Sequence, residues 1–529
     1  MGAKQNQASL PCEQLARGKD VRSAQSRSQR QNQSTFRTRP VPTLPFFRRS
    51  LSNRDGAGLF FRRARELPRH MRLSHARAGP ANFCFSNIFS TMLGDPPIAV
   101  NSQARMTGFN TTLTIDRLGE RGEGIAQSPD GLIFVPYALA GETIVAEVDG
   151  SRGTLAEVLT PSPDRIAPFC RYFSRCGGCA VQTLAADSYA RWKRDLVTSA
   201  LRRVGLTNEV LDLAEAHGAG RRRATFHARY AKDHPTTGFM RARAHEVVEI
   251  DSCPLLAASM DGALPAARAI AQALAASGKL LDILVTATAS GLDADLKGRG
   301  PLCEAETQTL VLIAQEHDLA RLSNHGTIVV SRRTPVLALG KARVAPPPGA
   351  FLQATEAGEE ALAARVCAHV AGARCIADLF SGVGTFALRM AEFAKVEAFD
   401  LEEASLQALA KAARAAGLRE VAVSPRDLFR RPLGPLELDR YDAVVFDPPR
   451  AGAESQALVL SASSVPLVVA VSCSAQTFAR NAAILCAGGY EMARVEPVDQ
   501  FRHTPHVEIV AGFRRRNGPR KNWRLLGWG

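Results

Sequence analysis

The strongest constraint on this chain is the regular alternation of helix and strand that begins at Gly349. Helix-period residues run from about Glu356 to Val370, and the apolar strand CIADLF follows. A helix, KVEAFD, a helix, EVAVSP, YDAVVFDPP, a helix and PLVVAVSC succeed one another, before two final strands, YEMARVEPVD and HVEIVAGFRR. Short apolar strands separated by helices call for a mostly parallel, doubly wound α/β sheet, because parallel neighbours need a crossover between them. Ligands of such sheets lie at the carboxyl ends of the strands. The residues at those ends are therefore the ones that carry chemistry.

The first strand passes into a helix through Asp378-Leu-Phe380-Ser-Gly382-Val-Gly384. Glycines there let the backbone approach a ligand and leave helix N-terminal N–H groups facing it. Phe386-Ala387 stands where a dinucleotide fingerprint has its last glycine, so a dinucleotide is not indicated. Asp400 ends the second strand, where it can accept from a ribose hydroxyl, and Asp427 lies just past the third, where it can meet an adenine edge. S-adenosylmethionine is the ligand that suits this combination. Asp447-Pro-Pro-Arg450 ends the fourth strand, where substrate lies across the sheet from the cofactor. Cys473 ends the fifth strand and leads a helix, whose dipole favours the thiolate that a nucleophile requires. A buried strand-end cysteine has the same sequence signature.

Upstream the pattern differs. Thr111 to Thr160 holds five short alternating runs separated by turns, which suggests a small OB-like barrel of the kind that binds single-stranded nucleic acid. Residues 166–345 mix a cysteine cluster, a helix-like stretch from Asp187 to Val204 and β-rich segments such as HEVVEI and LLDILVTAT. Arg221, Arg222, Arg223, His227, Arg229, Arg241 and Arg243 interleave with Phe226, Tyr230 and Phe239. That mixture suits phosphate pairing and base stacking, and a solvated basic face is the alternative. Cys170, Cys176 and Cys179 supply three thiols within ten residues, and Cys253, followed by Pro254, supplies a fourth. Four thiolates can hold zinc; the uneven spacing and the proline lean towards an iron–sulfur cubane.

Charge informs only through its distribution. The chain has 529 residues and a formal net charge of +15, but residues 1–105 hold 18 Lys+Arg against 5 Asp+Glu, leaving 48 against 46 in the rest. The basicity belongs to an Arg-, Ser- and Gln-rich extension without periodicity, which reads as disordered, and organised sequence starts after Met106. No uncharged apolar run approaches the ~20 residues needed to span a bilayer. Eleven cysteines without a secretory signal indicate reduced thiols in a cytoplasmic setting.

FLQ at Phe351–Gln353, DLFSGVGTFAL, FDPPRAG, VSCSAQTFARN and HTPHVEIV, in this order, resemble the RNA uracil-5 methyltransferases that make 5-methyluridine. GEGIA, FVPYALAGE and SPDRIAPFCRYFSRCGGC resemble the branch with a TRAM domain and an iron–sulfur cluster, as in the 23S rRNA (uracil-5-)-methyltransferases. Beyond the extension at 1–105, the resemblance implies a TRAM/OB-like barrel at 106–165, a central α+β domain at 166–345 and a class I, Rossmann-like methyltransferase domain at 346–529. It implies a [4Fe–4S] cluster on Cys170, Cys176, Cys179 and Cys253. It also implies that Cys473 adds to C6 of uracil and that Glu508 removes the C5 proton. Gln353, Asp378, Phe380, Gly382, Gly384, Asp400, Asp427 and Asp447 form the expected cofactor set, of which Gln353 and Asp447 match positions that hold the uracil edge. The implied partner is RNA, 23S rRNA or by the same chemistry tRNA, with no membrane and no obligate protein partner.

Two other readings share some of these features. An amino-group N-methyltransferase has the same cofactor sheet, but usually carries Asn/Asp-Pro-Pro-aromatic at the fourth strand and needs no cysteine. An RNA-binding factor without catalysis would need neither Cys473 nor Glu508.

Overall fold

The computed structural model describes residues 109–231 and 234–516; the N-terminal extension, with Met106, lies outside them. The first element is a six-stranded sheet of Phe109–Thr114, Arg117–Leu118, Glu123–Ser128, Gly131–Pro136, Thr143–Asp149 and Arg152–Thr160. Its spatial order is first, fifth, sixth, fourth, third, second. Five runs were expected and six strands are present because the first run, TTLTIDRL, is split into Phe109–Thr114 and the two-residue Arg117–Leu118. Leu113, Ile133, Val135, Ile144 and Ala146 form the core of this sheet, each flanked by more exposed neighbours, as a half-buried strand requires.

A seven-stranded sheet follows, in the spatial order Val247–Glu249, His234–Met240, Arg223–Ala231, Leu281–Thr288, Gly291–Lys297, Arg321–Asn324, Thr327–Ser331. Helices Ala263–Ala273 and Glu304–Glu316 pack against it through Ala267, Ile270, Leu310 and Ile313. This packing corrects the reading of the basic–aromatic run. Phe226 is fully buried and stacks on Phe239 at 5.4 Å, while Tyr230 donates to the Ala271 carbonyl at 3.0 Å. The cause is the two-residue period of a strand, which sends Phe226, Ala228 and Tyr230 to one face and Thr225, His227 and Arg229 to the other. These rings belong to the core rather than to a stacking platform.

In the C-terminal sheet Val421–Pro425, Lys395–Asp400, Cys375–Leu379, Ala443–Phe446 and Leu467–Ser472 run parallel in that order. Glu508–Arg515 joins antiparallel, Glu496–Asp499 pairs antiparallel with it, and the two-residue strand Ala214–Glu215 closes the edge. The expected run YEMARVEPVD is two strands, Tyr490–Met492 and Glu496–Asp499, which pair with successive stretches of the same partner. The helix expected after the glycine turn is a single turn, Ala387–Met390, because the next strand already starts at Lys395. Strand order reverses between Cys375–Leu379 and Ala443–Phe446, which opens a crevice at their carboxyl ends.

Both faces of this sheet are covered. Leu362, Val366, Leu388, Leu406 and Leu409 fill one side. On the other, Val197, Ala200 and Leu201 of helix Ala186–Arg203 share a core with Phe478, Leu485 and Phe513. The central segment is thus built into the sheet that carries the crevice. Among the described residues, no helix is long and apolar enough to cross a membrane.

Candidate active site

Strand Cys375–Leu379 delivers Asp378 to the crevice. Asp378 is fully buried with the Ala387 N–H turned towards its carboxyl, and burial, against that N–H, pushes the carboxyl up to about 8. A buried carboxyl is costly unless its hydrogen-bonding capacity is met, and Asp378 has capacity left for a polar group in the crevice. Phe380, two residues on, has φ +63, a left-handed conformation that costs on the order of 1–2 kcal/mol for a residue with a Cβ. Its ring meets that of Phe429 at 5.4 Å. The glycines divide the work: a Cβ on Gly384 would lie 2.8 Å from Leu409 Cγ, whereas one on Gly382 would meet nothing within 4 Å. The first is excluded by packing, and the second leaves open space at the crevice.

Asp400 accepts from the Gly382 N–H at 2.9 Å and from the Glu402 N–H at 2.8 Å, which ties the second strand to the turn. Asp427 accepts from the N–H groups of Phe429 and Arg430 at 3.0 and 3.1 Å. A carboxylate has about four lone-pair sites, so both retain capacity for a ligand. Exposed Leu401 and Phe429 follow these aspartates in sequence, and sequence reasoning did not single them out.

Cys473 follows strand Leu467–Ser472, but Ser474 caps helix Ala475–Ala487 by accepting from the Thr477 N–H. Burial pushes the Cys473 thiol up to about 11, with Glu508 and Asp447 adding to the rise and Arg450 opposing it. Desolvation and two carboxyl groups from other strands act against the dipole-favoured thiolate expected from sequence. Glu508 opens strand Glu508–Arg515, and Asp447 follows Ala443–Phe446. Burial pushes Glu508 up to about 7, against a hydrogen bond from Gln500 and the cations Arg450 and Lys193. Burial, Glu508 and Asp378 hold Asp447 well above the usual carboxylate range. Gln353 Nε2 faces Asp447 Oδ2 at 3.4 Å.

Three residues of this cluster were not foreseen: Gln500, Arg450 as a local cation, and Lys193. Lys193 has no exposed surface, and its Nζ donates to Asp499 Oδ1 at 2.6 Å, to the Phe501 carbonyl at 3.2 Å and to the His506 carbonyl. Tyr189 donates to the other oxygen of Asp499 at 2.6 Å. Helix Ala186–Arg203 thus holds both ends of the loop that leads into Glu508. A lysine on the apolar side of an amphipathic helix was the available signal.

A recess of about 340 Å³ leads to Cys473 between Arg121, Arg450, Gln476 and His506. Beside it a groove of about 730 Å³ is lined by Arg121, Arg221, Arg241, Arg243 and Arg450, with Tyr137 and Phe501. Of the seven cationic residues named from sequence, three therefore face this groove. Arg222 instead points inward, where it is buried and paired with Glu359 at 2.5 Å.

Cys170, Cys176, Cys179 and Cys253 are free and line one cavity of about 510 Å³. Burial raises the thiols of Cys176, Cys179 and Cys253, that of Cys179 up to about 11. Among the described residues, no group of three or more His, Cys, Asp or Glu side chains is arranged to hold a metal ion. The donor chemistry of the four sulfurs on this cavity suits a thiophilic metal or cluster.

Residues 350–515 match the family described as tRNA (Uracil-5-)-methyltransferase. An uncharacterised RNA methyltransferase of Brucella suis biovar 1 is 46% identical over 77% of this chain and 98% of its own length. The chain belongs to the family of S-adenosylmethionine-dependent RNA (uracil-5-)-methyltransferases. The 23S rRNA (uracil(1939)-C(5))-methyltransferase of Chromohalobacter salexigens is 32% identical, covering 79% of this chain and 94% of that protein. The fold is shared with the Pyrococcus abyssi tRNA (uracil-54, C5)-methyltransferase solved with S-adenosyl-L-homocysteine, at a TM-score of 0.59, 22% identity, 76% coverage of this chain and 99% of that one.

Proposed function

We propose that this family member methylates C5 of a specific uridine in 23S rRNA through a covalent adduct between Cys473 and C6 of the base. One observation carries the reading: a thiol and two carboxyls, Cys473, Glu508 and Asp447, gather at neighbouring strand ends, with the Gln353 amide facing Asp447 from the segment before helix Glu356–His369. Uracil C5 is a poor nucleophile until C6 is attacked. The Cys473 thiol loses its proton as sulfur bonds to C6, and C5 of the resulting enolate takes the methyl group that S-adenosylmethionine supplies when bound. Glu508 then removes the proton left on C5, the S–C6 bond breaks, the ring double bond returns, and the departing sulfur takes back a proton to restore the thiol. One methyl group is gained and one proton released.

Gln353 and Asp447 hold the uracil edge, while Asp378, Phe380, Gly382, Gly384, Asp400 and Asp427 form the cofactor side. The strands between 109 and 160 form a TRAM-type barrel whose Arg121 joins Arg241 and Arg243 in an RNA path. The salt dependence of phosphate contacts makes binding weaken as salt rises. Cys170, Cys176, Cys179 and Cys253 hold a [4Fe–4S] cluster, which supplies structure beside that path, since methyl transfer requires no electron. The four thiols sharing one cavity support this assignment.

The test is incubation with S-adenosylmethionine and separate pools of 23S rRNA and tRNA lacking 5-methyluridine, followed by nucleoside mass spectrometry. New 5-methyluridine in 23S rRNA is the expected result. Its appearance in tRNA alone would keep the chemistry and overturn the substrate, which is the second reading that the matched family description favours.

A further inference from the structure

The backbone fixes how Gln500 sits. Its Oε1 accepts from the Ala354 N–H at 2.9 Å and faces that of Thr355 at 3.4 Å, so turning the amide over would set its NH₂ group against two donors. Nε2 therefore donates away from them, to Gln353 Oε1 at 2.6 Å and to Glu508 Oε1 at 2.9 Å. The first of these bonds orients Gln353 in turn: with its oxygen engaged, its NH₂ group faces Asp447 Oδ2. Gln500 is fully buried and is not among the residues that line the recess around Cys473.

We infer that Gln500 is a positioning residue for methyl transfer, one that holds Glu508 ionised and aimed for C5 proton removal and that sets the orientation Gln353 presents to uracil. The inference rests on the reading of Glu508 as the base. The charged and titratable groups around Glu508 are Asp447 and Cys473 at the neighbouring strand ends, Arg450 after the Pro-Pro turn and Lys193 from helix Ala186–Arg203. The two cations act on the carboxylate through space, whereas Gln500 donates to it directly, and a direct donor to the charged form lowers a carboxyl pKa. Because one amide serves both the base and the substrate-edge residue, a single substitution should disturb acid–base chemistry and uracil orientation together, without touching cofactor.

The experiment compares 5-methyluridine formation against pH for the full-length protein and its Gln500→Met, Gln500→Glu and Glu508→Gln variants, at saturating S-adenosylmethionine. Calorimetry with S-adenosylhomocysteine reports folding and the cofactor site. Gln500→Met, which keeps volume and loses both bonds, is expected to move the acidic limb of the rate profile up by roughly one pH unit, with turnover about fivefold lower at pH 7 and recovering as pH rises. Gln500→Glu, which sets a carboxyl against a carboxyl, should move the limb further. Cofactor affinity stays unchanged in both. An acidic limb that stays put in a folded Gln500→Met protein overturns the inference while leaving the reaction intact; if that variant does not fold, the limb of Gln500→Glu decides by the same criterion. Normal turnover by Glu508→Gln would instead remove the base assignment on which the inference stands.

Discussion

A thiol held up at about 11 is scarcely ionised at neutral pH, so in the proposed mechanism Cys473 loses its proton in the course of attack rather than waiting as a thiolate. The carboxyl groups that raise it, Glu508 and Asp447, are also the groups around it that can take protons. This coupling separates the two side chains experimentally. Cys473→Ala removes the sulfur and is expected to abolish 5-methyluridine formation while S-adenosylhomocysteine binds as before; calorimetry and nucleoside analysis check the two halves. Glu508→Gln keeps the sulfur and the Gln500 contact, and should slow turnover by about 10²- to 10⁴-fold. Its RNA should accumulate as a denaturant-resistant adduct on gels, because elimination waits for the C5 proton to leave. Release of free RNA from that variant at the wild-type rate would count against Glu508 as the base.

At the scale of elements, the turn after strand Cys375–Leu379 shows what was legible in sequence and what was not. The glycine pattern announced a close approach, but only packing separates Gly384, with φ +99 and Leu409 against it, from Gly382, with φ +52 and open space. Gly384→Ala is accordingly expected to destabilise the fold by roughly 1–3 kcal/mol, read as a fall in melting temperature. Gly382→Ala should cost about 1 kcal/mol of stability and show its larger effect on cofactor affinity, read by calorimetry. Equal losses of affinity in the two variants would undo that division. The alternating strands and the position of helix Glu356–His369 were legible because the period of apolar residues is local. The raised Cys473 thiol was not, because its causes sit on strands distant in the chain. Gln500 lies 147 residues from Gln353, and no spacing rule links them. Phe226 and Phe239 looked like stacking platforms because the run was read by composition, when strand period already sent Phe226 inward.

Across the whole molecule, buried acids outnumber the cations free to meet them at the crevice. Lys193 is engaged by Asp499, which leaves Asp378, Asp447 and Glu508 to share a desolvated space, all with raised pKa values. In the unfolded chain these carboxyls titrate near their ordinary values of 3.8 and 4.5; in the fold Glu508 titrates at about 7 and Asp378 at about 8. Their contribution to stability is therefore fully present below about pH 4 and is lost as pH rises through 7 to 8. His503 and His506 work in the opposite sense: burial and neighbouring arginines lower both from 6.5 to about 4, so the stability they contribute is present above 6.5 and lost as pH falls towards 4. Between pH 6.5 and 8.5 the carboxyl effect stands alone of the two. Scanning calorimetry of the unliganded protein is expected to show the melting temperature rising by several degrees as pH is lowered from 8.5 to 6.5, on the order of 3 kcal/mol at about 1.4 kcal/mol per pKa unit. A melting temperature that falls over that interval would contradict the burial of these acids. Asp378→Asn should flatten the slope and stabilise the unliganded protein at pH 8.5, while weakening its hold on the cationic S-adenosylmethionine. A carboxyl present only to fill space would show no such exchange of stability for affinity, so the pair of measurements separates a binding aspartate from a packed one.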